Sequence, residues 1–240
     1  MKSATDLTVW VWRGTDKGRY QRYAVPRQDN QTVLDVVTWI QRHLEPALAY
    51  RFACRVGMCG SCAMTVNGRP RWTCRTHVES VADKDTLKLA PLRNLPVIRD
   101  LACDLDPFFE KWQRSRGRFV GTATRAEPPA TVAPQSAERQ AADHAIECIN
   151  CAVCYAACDT VAWDDAYVGP AALNRAWSLL NDVRDGDHAG LTRAVADTGG
   201  CITCHGHGSC SAHCPMELEP AMAVASLKRH VLGGLFKGRA

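Results

Sequence analysis

Arg51-Phe52-Ala53-Cys54-Arg55-Val56-Gly57-Met58-Cys59-Gly60-Ser61-Cys62 is the stretch that decides the fold. Its cysteines stand at C-x4-C-x2-C, the spacing of a loop that wraps one face of a plant-type [2Fe–2S] cluster. Such a loop needs a fourth thiolate from a distance, and Cys74 supplies it. Gly57 and Gly60 let backbone N–H groups approach the sulfurs. Zinc is the competing reading, but the usual zinc spacings differ from this one.

The residues on either side fit a β-grasp fold. Leu7, Val9 and Val11 alternate with Thr8, Trp10 and Trp12, the pattern of a half-buried strand. Gly14 to Gly18 reads as a turn, Tyr20 to Val25 as a second strand ended by Pro26. Thr32 followed by Asp35 is a helix start, and Val33, Val36, Val37, Ile40 and Leu44 mark one helical face. Downstream, Asn67-Gly68 between Met64–Val66 and Arg71–Thr73 is a hairpin signal that returns Cys74 to the loop. Leu87 and Leu89 mark one more strand.

A chain of 240 residues holds one large domain or two modest ones. Thirteen cysteines would mean disulfides in a secreted protein. The polar start from Met1 to Leu7 carries no secretory signal, so grouped cysteines point to metal instead. No run of about 18 apolar residues occurs, which excludes a membrane-spanning helix. A net charge of +4 with no continuous basic block argues against a nucleic-acid partner.

Thr122 to Gln135, with Pro128, Pro129 and Pro134, reads as a linker, and Ser136 caps a helix through Glu147. Beyond it, Cys148, Cys151, Cys154 and Cys158 form C-x2-C-x2-C-x3-C, a bacterial ferredoxin box in which Asp159 replaces the usual proline. In two-cluster ferredoxins the fourth cysteine of each box ligates the other cluster. The second box is Cys204-x5-Cys210-x3-Cys214-Pro215, with His207 where a middle cysteine would stand. Losing one thiolate removes the anchor of one iron. The expected sets are therefore Cys148, Cys151, Cys154 and Cys214 for a [4Fe–4S] cluster, and Cys158, Cys204 and Cys210 for a [3Fe–4S] cluster. His207 and Cys201 are alternative ligands of the latter. Pro170–Leu180, Asp187–Ala196 and Ala221–Leu232 read as helices. The expected architecture is α+β: a β-grasp [2Fe–2S] ferredoxin domain over 1–105, an interdomain segment and Pro-rich linker over 106–136, and a mainly α-helical dicluster ferredoxin domain over 137–240. Cys103, apart from all groups, reads as a small buried hydrophobe.

With these motifs in this order, the chain resembles the iron–sulfur subunit of succinate dehydrogenase and fumarate reductase. The likeness rests on Cys54 to Cys62, Arg99-Asp100-Leu101, Asp106-Pro107-Phe108-Phe109, Glu147 to Cys151, Gly169-Pro170-Ala171-Ala172-Leu173 and the last cysteine box. It implies an electron-transfer subunit whose clusters pass electrons in the order [2Fe–2S], [4Fe–4S], [3Fe–4S]. The implied partners are a flavoprotein subunit with FAD, which holds the succinate/fumarate site, and integral membrane anchor subunits that hold quinone, in some members with haem. The implied place is the periphery of a bacterial inner membrane, on its cytoplasmic side. His205, Trp163 and Lys228 align with residues near the quinone; their rival roles are a hydrogen-bonding histidine, a packing tryptophan and a solvated basic face. Two rival functions read the same cysteines as a soluble fumarate reductase subunit or a free ferredoxin-like carrier.

Overall fold

The structure, a computed structural model, describes residues 6–128, 130–143 and 145–236. Two compact units divide the chain: Met1–Leu105 with Ile149–Ala157, and Asp106–Cys148 with Cys158–Ala240.

The first unit is built on a five-stranded sheet in the order β2-β1-β5-β3-β4. Its strands are β1 (Leu7–Arg13), β2 (Arg19–Val25), β3 (Ala63–Val66), β4 (Arg69–Trp72) and β5 (Thr86–Ala90). β1 runs parallel to β5, and the remaining pairs are antiparallel. Helix α1 (Val33–His43) packs on the sheet because its apolar face recurs at helical spacing. Val33, Val36, Val37 and Ile40 lie buried against Leu7, Val9, Val11, Leu87 and Leu89. Each such side chain is worth ~1.5–3 kcal/mol when buried, more than the cap that starts the helix. That cap is the expected one: Thr32 Oγ1 accepts from Asp35 N–H at 3.2 Å, and the Asp35 carboxylate accepts from Thr32 N–H at 3.0 Å. Asn67 and Gly68 turn the β3–β4 hairpin with φ of 47° and 79°, as a two-residue turn with both central residues left-handed requires. A one-turn helix α2 (Val78–Val81) follows, and β6 (Val97–Arg99) pairs with β7 (Ala102–Cys103) in a separate ribbon.

Asp100 sits at the turn of that ribbon, 1% exposed. It accepts from Gly14 N–H at 2.8 Å and Ala49 N–H at 2.9 Å and pairs with Arg13 Nε at 3.0 Å. One buried carboxylate thus fastens the end of β1, the loop after α1 and the ribbon. Cys103 is buried as expected, its thiol directed at the Leu92 carbonyl at 3.7 Å.

The second unit is helical. Its elements are α3 (Asp106–Arg114), α4 (Ala137–Asp143), α6 (Asp159–Trp163), α7 (Pro170–Leu180), α8 (His188–Ala196), α9 (Ser209–Ala212) and α10 (Pro220–Phe236); α5 (Val153–Ala156) belongs to the first unit. Ser136 Oγ accepts from Arg139 N–H at 3.2 Å and starts α4. That helix stops at Asp143, short of the expected Glu147. His144 and Pro129, which fall in the expected helix and linker, lie outside the described residues, as does the start at Met1–Thr5. Helix α7 is the centre, packed by α3, α4, α8 and α10. Its Ala171, Ala172 and Ala176 are buried, and their small side chains let neighbouring backbones come close. Leu173, Leu179, Leu191, Val195, Val224 and Leu227 fill the core. A sheet domain followed by a helical domain is the α+β architecture expected from the residues.

Candidate iron–sulfur sites

In the first unit the loop Cys54–Cys62 bends back on itself through left-handed backbone at Arg55, Gly57 and Gly60 (φ 59°, 76° and 68°). That bend turns main-chain donors inward. Met58 N–H and Cys59 N–H each point at Cys54 Sγ at 3.3 Å, and Cys54 N–H points at Cys59 Sγ at 3.5 Å. Ser61 Oγ lies 3.1 Å from Cys59 Sγ. A Cβ on Gly57 would fall 2.9 Å from the Trp72 ring, and one on Gly60 would fall 2.5 Å from the Cys151 Cβ. Side chains at these positions have no room.

Cys62 and Cys74 are buried, brought together by the β3–β4 hairpin; Thr73 Oγ1 ties the return to the Cys62 carbonyl at 2.8 Å. Burial and the adjacent Cys62 push the Cys74 thiol up to about 11. The Ser61 hydroxyl and the Cys54 backbone draw Cys59 down to about 6. N–H groups aimed at sulfur favour thiolate and cluster sulfur alike, so this donor set fits a [2Fe–2S] cluster.

Of the expected [4Fe–4S] ligands, Cys151 and Cys154 belong to the first unit and Cys148 and Cys214 to the second. Asn150 and Ala152 take left-handed backbone (φ 53° and 60°) around Cys151, and Cys154 is buried in α5.

The second unit holds Cys158, Cys204 and Cys210, which influence one another electrostatically. Cys158 occupies the N-cap position of α6. Burial pushes its thiol up, against hydrogen bonds to the sulfur from the N–H groups of Val161 and Thr160 and from the Thr160 hydroxyl. A helix N-terminus has unpaired N–H groups and a positive dipole end, both suited to a thiolate. Burial, with Cys158 and Cys204 beside it, pushes Cys210 up to about 11. Gly206 N–H points at Cys204 Sγ at 3.4 Å. These three thiols, each favoured as thiolate by a neighbouring backbone N–H (Ser211 N–H in the case of Cys210), fit a three-iron cluster.

Residues singled out for quinone fall near this group. Trp163 is 70% exposed and meets the His207 ring edge-on at 5.9 Å. His207 in turn lies 6.1 Å from His205. Lys228 Nζ donates to the Cys204 carbonyl. Cys201 is fully buried, its thiol pushed up by burial. Sequence reasoning passed over Tyr167. Its side chain is 1% exposed, and the Cys204 thiol adds to what burial does to its phenol. Burial is the main cause that holds this phenol above its ordinary range. The available signal was a hydroxyl two residues before the Gly169-Pro170 helix start, which spacing alone does not tie to any cysteine.

Two family models match. A 2Fe-2S iron-sulfur cluster binding domain covers residues 6–110, and a 4Fe-4S dicluster domain covers residues 147–219. The chain is 35% identical over 212 residues to the fumarate reductase iron-sulfur subunit of Mycobacterium tuberculosis (strain CDC 1551 / Oshkosh), covering 87% of this chain and 84% of that one. It is 32% identical over 203 residues to that subunit of Escherichia coli O6:H1, covering 84% and 82%. It is 36% identical over 205 residues to the mitochondrial succinate dehydrogenase [ubiquinone] iron-sulfur subunit 2 of Oryza sativa subsp. japonica, covering 84% and 65%. Among solved structures it is similar to a chain of the Mycobacterium smegmatis Sdh1 complex in the apo form, with TM-score 0.85, 27% identity and 96% and 97% coverage.

Proposed function

The chain belongs to the iron–sulfur subunits of succinate dehydrogenase and fumarate reductase, electron-transfer subunits of multi-subunit complexes, and from that premise we propose its full electron path and partners. Electrons pass between the FAD of a flavoprotein subunit and membrane quinone. The clusters supply the redox chemistry; the chain positions them and sets their electrostatics. Cys54, Cys59, Cys62 and Cys74 hold [2Fe–2S]. Cys148, Cys151, Cys154 and Cys214 hold [4Fe–4S]. Cys158, Cys204 and Cys210 hold [3Fe–4S].

The observation that carries this reading is the third group: three thiols with N–H donors on their sulfurs, and His207, whose ring lies against Trp163 and near His205, where a fourth thiol would stand. Phe52, Val56 and Met58, all exposed on the first cysteine loop, offer the flavoprotein an apolar face. Exposed Trp163 and His205, with Lys228, offer quinone an aromatic surface, a proton carrier and a cation at the opposite terminus of the path. Among the described residues no helix is long and apolar enough to cross a membrane. The family likeness supports the reading that the chain reaches quinone as a peripheral subunit on integral anchors, on the cytoplasmic side of a bacterial inner membrane.

EPR of the air-oxidised complex tests the cluster set. A [3Fe–4S] cluster is paramagnetic when oxidised, whereas a resting [4Fe–4S] cluster is silent. An oxidised protein without the three-iron signal refutes the third ligand assignment. Co-purification of a flavin-bearing subunit and membrane anchors tests the partners; a chain that elutes alone near 26.3 kDa from native extract would be a free carrier instead.

A further inference from the structure

Helices α7, α8 and α10 leave an open groove of about 1240 Å³ between them in the second unit. That exceeds the ~300–1,000 Å³ of a common small-molecule pocket. Leu180, Ala189, Ala196, Ile202, Val231 and Leu232 give it an apolar wall, and Ile202 and Leu232 stay 51% and 45% exposed. Exposed cations also line it: Arg193 on α8, Arg229 and His230 on α10. No acidic residue is among its described lining. Among the described residues no carboxylate pairs with Arg193 or Arg229; Arg229 donates to the neutral Ser226 hydroxyl at 2.9 Å. One hydroxyl ties α8 to α10 beside the groove. Thr192 Oγ1 donates its proton to the His188 carbonyl at 2.9 Å, so it can only accept from His230 Nε2 at 3.1 Å. Gly233 and Gly234 line the groove too. Glycine inside a helix costs stability relative to alanine. Yet a Cβ on Gly233 would meet nothing within 4 Å, and its backbone is not left-handed. Neither packing nor backbone demands glycine there, and the missing side chain widens the groove.

We propose that this groove binds one phospholipid of net negative charge, with its phosphate on Arg193 and Arg229 and an acyl chain along the apolar wall. A guanidinium without a carboxylate partner suits phosphate, which it can grip with two parallel N–H bonds. A free phosphate would satisfy the arginines but leave Ile202 and Leu232 in water. A neutral amphiphile would cover the wall but gain nothing from the two cations. An anionic lipid answers both, adding electrostatic attraction at the headgroup to burial of the chain. The proposal takes from the reading above only that a bilayer lies within reach of the subunit. None of the groove residues used here is an expected cluster ligand.

The test is photo-crosslinking of the whole complex, purified in mild detergent, with phosphatidylglycerol that carries a diazirine in its acyl chain. Crosslinked peptides are mapped by mass spectrometry. Saturable labelling should fall on the segments 177–202 and 229–234. Unlabelled phosphatidylglycerol should compete; phosphatidylcholine with the same chains and inorganic phosphate should not. Arg193→Ala and Arg229→Ala should each weaken the apparent affinity about fivefold. Gly233→Trp keeps both arginines and fills the groove, so it should abolish the labelling. Equal competition by phosphatidylcholine overturns the proposal, because the groove would then be merely apolar. Competition by inorganic phosphate overturns it as well, because the site would then take only an anion. These competition arms use the wild-type protein and decide even if a variant fails to assemble. A complex with its anchors present and these segments unlabelled overturns the proposal alone, since another subunit would then cover the groove. A chain that purifies without anchors yet shows the expected labelling keeps the proposal and removes the anchor reading.

Discussion

At the level of single residues, the third cysteine group is where this chain departs most from the ferredoxin pattern. Asp159 stands in the first turn of α6, next to Cys158, where a proline is usual. A carboxylate there would disfavour extra electron density on the proposed third cluster. Asp159→Pro should therefore raise the three-iron midpoint potential, by roughly tenfold in the reduction equilibrium or ~59 mV, in an EPR-monitored titration. Gly60 makes a different demand. It combines φ +68° with a backbone approach that leaves no room for a Cβ beside Cys151. Gly60→Ala is expected to distort the first cysteine loop and to cost over ~1 kcal/mol, read as loss of the [2Fe–2S] EPR signal and a lower Tm. Substituting Gly68, whose added Cβ would meet nothing within 4 Å, should be milder and serves as the control.

Elements are held in place by a few local devices whose worth is separable. Thr32→Ala removes the capping box of α1 and should lower stability by ~1 kcal/mol. The apolar face of α1 keeps the helix in place, so the variant should still assemble its clusters. Asp100 joins three segments of the first unit. Burial alone would raise its pKa, but the Ala49 and Gly14 N–H groups and Arg13 outweigh burial and hold the carboxyl below its usual range. A carboxyl with a depressed folded pKa contributes stability that is complete above the unfolded value near 4 and lost as pH falls through the folded one. Thermal unfolding at stepped pH should show this loss below about pH 4 in the wild type. Asp100→Asn should be less stable at neutral pH and should lack that acid-dependent component. An unchanged acid limb would show that Asp100 does not govern it.

For the whole molecule, function depends on surfaces as much as on ligands. The first cysteine loop exposes Val56 and Met58 at 60% and 65%. Both belong to the face proposed above for the flavoprotein. Met58→Asp with Val56→Asp should abolish co-purification with the flavoprotein while leaving the [2Fe–2S] absorption and EPR spectra intact. Loss of the spectra together with the partner would make the residues structural instead.

The sequence by itself determined the architecture and set the spacing of its three cysteine groups. Both follow from local rules: the two-residue period of β1, the helical period of α1, the Asn67-Gly68 turn and the fixed cysteine spacings each act within a few residues. It also made the residues around His205 candidates, through resemblance. Tertiary structure alone decided which groups share a volume. Tyr167 lies nine residues from Cys158 and 37 from Cys204 along the chain, and no pattern links them. Only the packing of the segment before α7 against the Gly199 turn buries this side chain. The same holds for Asp100, whose carboxylate reaches Gly14 across 86 positions. Periodicity and spacing encode contacts between near neighbours; the placement of a lone polar group depends on how distant segments exclude water together.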